Sequence, residues 1–169
     1  GTSNQELGAS ELAFMMTESG QTDGIGGRVP QLPHPEQNLA MYRSLSTAIR
    51  AGIVRTAHDC SEGGLAVALA EMCIGGRLGA SVDIDGTGDG DVWGRLWGES
   101  LGRFVVAVSP DNEAAFLAAM KGHPTTVLGT VDNTAHLSIM DGDDPLVHMH
   151  VDAMTTAWKG TLDLTGGMA

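Results

Sequence analysis

The chain has 169 residues, 42% of them hydrophobic and 18% charged, with 21 acidic against 9 basic side chains and a formal net charge of -12. That charge repels a phosphate backbone, and with only two lysines, Lys121 and Lys159, and no basic stripe with interleaved aromatics, nucleic-acid binding is excluded as a main role. No apolar run is long enough to span a bilayer and no signal-type segment opens the sequence; Cys60 and Cys73 form no disulfide framework, so a soluble cytoplasmic protein of single-domain size is expected.

From the N-terminus, Ser10 followed by Glu11-Leu12-Ala13-Phe14-Met15-Met16 predicts an N-capped helix. The glycine- and proline-rich stretch 21–33 reads as a connector, because Pro30 and Pro33 impose extended geometry and no helix follows its glycines directly. A second helix is expected from Pro35 to Ala51, with Leu39, Tyr42, Leu45 and Ile49 on one face and Gly52 ending it. Ile53 to Ala57 reads as a strand.

The run from His58 to Met72 is the most informative part of the chain: a short polar loop, His58-Asp59-Cys60-Ser61-Glu62, then Gly63-Gly64, then an almost wholly apolar helix closing at Gly75-Gly76. The first N–H groups of a helix lack intrahelical partners and the peptide dipoles leave positive charge there, so such a terminus favours an anion such as phosphate. Gly63 and Gly64 lack a Cβ and would let a ligand oxygen approach the main chain. Ser61 can cap the helix or bond a ligand, and Asp59 is an oxygen ligand of the type that holds Mg2+ on a nucleotide phosphate. From the residues alone, a polar loop that merely caps a core helix is the competing reading.

Further on, Ala80 to Ile84 reads as a strand and Asp85 to Asp91 as a solvated hairpin loop. An EF-hand reading of that loop fails because Leu96 stands where a bidentate glutamate is required. Arg103 to Val108 predicts a strand, and Ser109-Pro110 starts a helix through Met120. Strands are expected at Val127–Val131, His136–Met140 and Leu146–Val151, and a last helix at Asp152–Lys159. His148 and His150 share one strand face but lack the third ligand that a transition-metal site needs. Arg55 and Arg103 are candidates for reversing the field locally around a phosphorylated molecule, with plain surface roles as the alternative. Alternating helices and strands joined partly by short turns predict an α+β fold with a mixed sheet covered by helices.

The run His58-Asp59-Cys60-Ser61-Glu62-Gly63-Gly64-Leu65-Ala66-Val67-Ala68-Leu69-Ala70-Glu71-Met72 resembles the signature of phosphoribosylformylglycinamidine synthase, in the C-terminal domain that it shares with the aminoimidazole ribonucleotide synthetase superfamily. Glu6-Leu7-Gly8-Ala9-Ser10-Glu11, Gly98-Glu99-Ser100 with Arg103, Leu128-Gly129-Thr130-Val131 and Ala157-Trp158 follow in that family's order, so the resemblance spans nearly the whole chain. It implies a three-layer α/β/α domain, partly ferredoxin-like, with residues 1–169 forming a single C-terminal-type domain of a longer multidomain enzyme and lacking its first strand. It also implies an ATP-dependent carbon-nitrogen ligase of purine biosynthesis, in which formylglycinamide ribonucleotide, ATP, Mg2+ and glutamine-derived ammonia yield the amidine, ADP and phosphate.

Carried over residue by residue, the resemblance makes Asp59 a Mg2+ ligand and Ser61 a nucleotide contact, puts Gly63 and Gly64 beside the phosphates, and gives His58 a role in orienting the loop. It assigns no general acid or base. The implied partners are the remaining synthase domains, a glutaminase subunit, a small accessory subunit and the phosphorylated nucleotide substrate; the fragment alone is expected to be inactive. Two other readings stand beside it: a non-catalytic nucleotide-binding or scaffold domain holding ADP, and another superfamily member such as aminoimidazole ribonucleotide synthetase.

Overall fold

A computed structural model describes residues 5–20, 27–32, 34–88 and 90–160. In chain order the elements are α1 (Glu11–Glu18), α2 (Pro35–Arg50), β1 (Val54–Asp59), α3 (Gly64–Gly76), β2 (Gly79–Asp83), α4 (Val92–Trp97), β3 (Phe104–Val108), a 3-10 turn (Pro110–Asn112), α5 (Glu113–Ala119), β4 (Gly129–Asp132), β5 (His136–Asp141), β6 (Asp144–His150) and α6 (Val151–Gly160). The fold is α+β, as expected, with its strands divided between two sheets. The chain forms two compact units, residues 1–68 with 86–127 and residues 69–85 with 128–169. Of the predicted connector, residues 21–26 and 33 lie outside the described residues.

In the first unit, β1 and β3 pair antiparallel, with His58 opposite Val105, Asp59 opposite Phe104 and an irregularity between Val54 and Thr56. Ser10 caps α1: its hydroxyl accepts from Ala13 N–H at 3.2 Å and donates to the Leu7 carbonyl at 2.7 Å. Helix α2 starts at Pro35, whose missing N–H costs nothing in a first turn, and Gly52 follows it at φ +72°. Met41, Leu45 and Met120 form a buried cluster with Val54, Val106 and Phe116 packed on it. The buried stripe of α2 is therefore Met41, Leu45 and Ala48; Leu39, Tyr42 and Ile49, expected on the core face, are exposed. Tyr42 instead meets the Phe104 ring edge-on, with centroids 5.7 Å apart.

The predicted hairpin around residues 85–91 is corrected: after β2 the chain turns and enters α4, and among the described residues no strand between the two pairs back on β2. Asp91 is the cap, accepting from Gly94 N–H at 2.9 Å, so an aspartate that reads as loop solvation is a helix start.

In the second unit the sheet order is β4-β2-β5-β6; β2 and β5 run parallel and the other pairs antiparallel, which makes the sheet mixed. Strict alternation puts Ala80, Val82, Leu137 and Ile139 on the buried face and leaves Ser81 and Asp83 exposed. Helix α3 closes with Arg77 at φ +55° and Leu78 N–H on the Cys73 carbonyl, so an arginine rather than the preceding glycines takes the left-handed position. Arg77 pairs with Asp152 and donates to Thr155 Oγ1 at 3.1 Å on α6, while Trp158 Nε1 donates to Glu71 at 3.3 Å.

Candidate functional site

The site candidate begins where β1 runs out. Residue 58 alternates inward and residue 59 outward, so His58 is half-buried while the Asp59 side chain is 59% exposed. A carbonyl oxygen can only accept, so the 2.7 Å contact of His58 Nδ1 with the Asp59 carbonyl fixes the proton on Nδ1. His58 is thus tied to the main chain of the next residue at the start of the loop.

Ser61 donates its hydroxyl to Asp59 Oδ2. This bond, with a backbone bond and the nearby His58 adding to it against a small opposing effect of burial, holds the Asp59 carboxyl below its usual range. Asp59 is thus an exposed, ionised oxygen donor aimed by a serine two residues on. Cys60 turns inward: its N–H closes the ladder on the Arg103 carbonyl at 3.0 Å, its side chain is buried, and burial pushes its thiol pKa up.

At the glycines the arrangement differs from the open phosphate cradle that the sequence suggests. Both are buried and left-handed, at φ +74° for Gly63 and +64° for Gly64. Gly64 N–H donates to the Ser61 carbonyl at 3.0 Å, and Gly63 N–H donates to a carboxylate, Glu99 Oε1, at 2.9 Å. A Cβ on Gly64 would lie 2.7 Å from the carbonyl oxygens of Leu96 and Gly98. These glycines serve a tight turn packed against the 96–98 backbone, and their amides are satisfied internally.

Glu99 is the residue that sequence reasoning missed. The same Oε1 accepts from Glu11 N–H at 3.0 Å, and Glu99 N–H donates to the Glu6 carbonyl at 3.0 Å. Glu6 is 1% exposed, and its Oε1 accepts from Gln31 N–H at 2.9 Å. The segments Glu6–Glu11 and Gly98–Ser100, two of those that carry the family resemblance outside the signature, thus converge on the signature loop. The only sequence signal for this was their co-occurrence, since Glu99 stands 36 residues from Gly63 and 88 from Glu11.

Arg103 is 4% exposed and donates to the carbonyls of Gly98 at 3.0 Å and Arg95 at 3.1 Å. Its guanidinium braces the loop that carries Glu99, which replaces both the anion-binding and the surface roles considered for it. Arg55 is exposed on β1.

On the second unit, the His136 ring stacks on His148 and meets His150 edge-on, each with centroids 4.8 Å apart, and His148 Nδ1 lies 2.9 Å from Ser138 Oγ. Among the described residues no group of three or more His, Cys, Asp or Glu side chains is arranged to hold a metal ion. Mg2+ on a nucleotide needs only one or two carboxylates besides phosphate oxygens and water, and Asp59 fits that donor set. Among the described residues, no helix is long and apolar enough to cross a membrane.

Residues 1–142 match the family model described as AIR synthase related protein, C-terminal domain. The chain belongs to that family. Within it the fold is of the PurL-type synthase: Thermotoga maritima PurL complexed with FGAR is 25% identical with a TM-score of 0.66, covering 73% of this chain and 22% of that one. The T. maritima PurL complexed with ATP is 25% identical with a TM-score of 0.62, covering 68% of this chain and 21% of that one. Phosphoribosylformylglycinamidine synthase II from the same organism has a TM-score of 0.70 over 91% of this chain and 24% of that one; at 22% identity this likeness is one of fold alone. The present chain spans less than a quarter of the length of each of these proteins.

Proposed function

We propose that this chain is a C-terminal-type domain of a longer, ATP-dependent phosphoribosylformylglycinamidine synthase of cytoplasmic purine biosynthesis, and that the loop 58–64 contributes to a nucleotide site. The observation that carries this reading is Asp59, exposed, held ionised and aimed by Ser61, at the strand end directly before the signature helix. The solved relatives with ATP and with FGAR support a nucleotide and a phosphorylated amide as ligands of the whole protein.

Bound with ATP, Mg2+ supplies charge neutralisation at the transferring phosphoryl group. This chain's residues do the holding. Asp59 ligates the cation, Ser61 fixes the carboxylate and contacts the nucleotide, and His58 sets the height of the loop. Gly63 and Gly64 shape the turn beside the phosphates. The other synthase domains, a glutaminase subunit supplying ammonia and a small accessory subunit complete the assembly, and the 169-residue chain alone is inactive.

The test is phosphate release by the full-length protein with formylglycinamide ribonucleotide, ATP and ammonia; no release dependent on that nucleotide rejects the reading. A second reading is a loop that retains ADP without taking part in turnover. Full-length Asp59→Ala separates the two: turnover lost supports catalysis, whereas normal turnover with ADP lost supports retention.

A further inference from the structure

The first amide of α1, Glu11 N–H, and the amide of Gly63, the residue just ahead of α3, converge on one oxygen. That is the donor geometry a phosphoryl oxygen seeks, and here a side chain of the protein fills it. We propose that Glu99 is the resident anion of the signature helix: it excludes phosphate from the Gly63 amide and so makes phosphate recognition at this loop depend on a cation held by Asp59. The proposal rests on the nucleotide-site reading above and adds a residue that determines which ligand form is accepted.

Three features keep Glu99 in place. Its N–H is tied to the Glu6 carbonyl, the preceding Gly98 packs where Gly64 has no room for a Cβ, and the Gly98 carbonyl is held by the buried Arg103. Retracting the carboxylate would leave the Glu11 and Gly63 amides without this acceptor. The charge around the loop points the same way. Asp59, Glu62, Glu11 and Glu99 belong to the loop and to the segments bonded to it, while the Arg103 guanidinium is turned to main-chain carbonyls. A bare phosphate meets carboxylates here, whereas a phosphate carrying a divalent cation meets Asp59 as a ligand.

The test uses the 15N-labelled full-length protein, with inorganic phosphate and ADP as probes and the Gly63 and Glu11 amide resonances as readout. In the wild type, phosphate leaves both resonances unmoved; in Glu99→Ala both move with phosphate concentration. Glu99→Gln keeps an acceptor oxygen without the charge, so it retains the fold and raises ADP affinity measured without Mg2+ by at least about fivefold. The proposal is overturned if phosphate moves the wild-type Gly63 resonance, or if a folded Glu99→Ala ignores phosphate. Should Glu99→Ala not fold, Glu99→Gln decides, and unchanged Mg2+-free ADP affinity overturns it. Failure of the nucleotide-site reading looks different: Mg-ADP then leaves Asp59 and Ser61 resonances unmoved in the wild type, while the phosphate arms keep their outcome.

Discussion

Gly64 and Gly98 are packed main chain to main chain: a Cβ built on Gly64 would come within 2.7 Å of the Gly98 carbonyl oxygen, and Gly64 sits at φ +64°. Gly64→Ala therefore meets two costs, a left-handed conformation and an overlap with backbone that cannot rotate away. A loss of roughly 2–4 kcal/mol is expected. Gly75, on the same helix, has no atom within 4 Å of its virtual Cβ and an ordinary helical φ. Gly75→Ala is expected to stabilise by about 0.5–1 kcal/mol through helix propensity. Urea midpoints at unchanged slope measure both, and equal effects would remove the packing account.

The Ser61–Asp59 bond predicts a titration. With the hydroxyl in place Asp59 ionises below its usual range, and Ser61→Ala moves its pKa back up toward that of a free aspartate. Because the folded-state pKa is the depressed one, the associated stability is present above the unfolded-state value and is lost as pH falls through the folded-state value. Exposure and solvent screening keep that contribution small, so carboxyl NMR is the proper measurement. A Ser61→Ala variant with an unchanged Asp59 midpoint would show that the bond does not control the carboxylate.

What the sequence disclosed was what neighbouring residues decide among themselves. Ser10 before an apolar turn, Pro35 at a helix start and the alternation through Ala80–Ile84 are local, and the elements stand where they were expected. The face of α2 was not local. Its apolar residues at 39, 41, 42, 45, 48 and 49 make a stripe too broad to show its own centre, which is set by Met120, Val54, Val106 and Phe116 from elsewhere in the chain. The loop showed the same limit. Asp59, Ser61 and the glycines were readable as special, but the anion that meets Gly63 comes from 36 residues away, and no periodicity announces it.

Arg103 gives a prediction that separates bracing from ligand binding. Its two guanidinium bonds go to main-chain carbonyls, one buried and one half-buried, so Arg103→Ala removes a donor from each and empties a buried volume. A loss on the order of 2–4 kcal/mol in chemical denaturation is expected. Arg103→Lys recovers only part of it, because an ammonium cannot reproduce the planar fork that reaches both carbonyls. Had Arg103 been a surface phosphate contact, either change would lower phosphate affinity at unaltered stability, and that pattern would contradict the bracing role.

The two thiols supply a prediction with the opposite pH sign. Cys60 and Cys73 are 6% and 5% exposed, and burial raises both pKa values; Arg103 partly opposes the shift at Cys60, and Asp132 adds to it at Cys73. A raised folded-state pKa gives stability that is fully present below the unfolded thiol value of about 8.5 and is lost as pH climbs toward the folded value. Denaturation midpoints should accordingly hold steady from neutral pH to about 8.5 and decline above it, and Cys60→Ala with Cys73→Ala should flatten the decline. Because the thiolate is the reactive form, a disulfide reagent at pH 8 should modify the folded chain on the order of a hundredfold more slowly than the chain in denaturant. Rapid modification of Cys60 in the folded chain would mean that the segment between Asp59 and Ser61 opens readily, which the Cys60 N–H bond to the Arg103 carbonyl and the two bonds on Glu99 argue against.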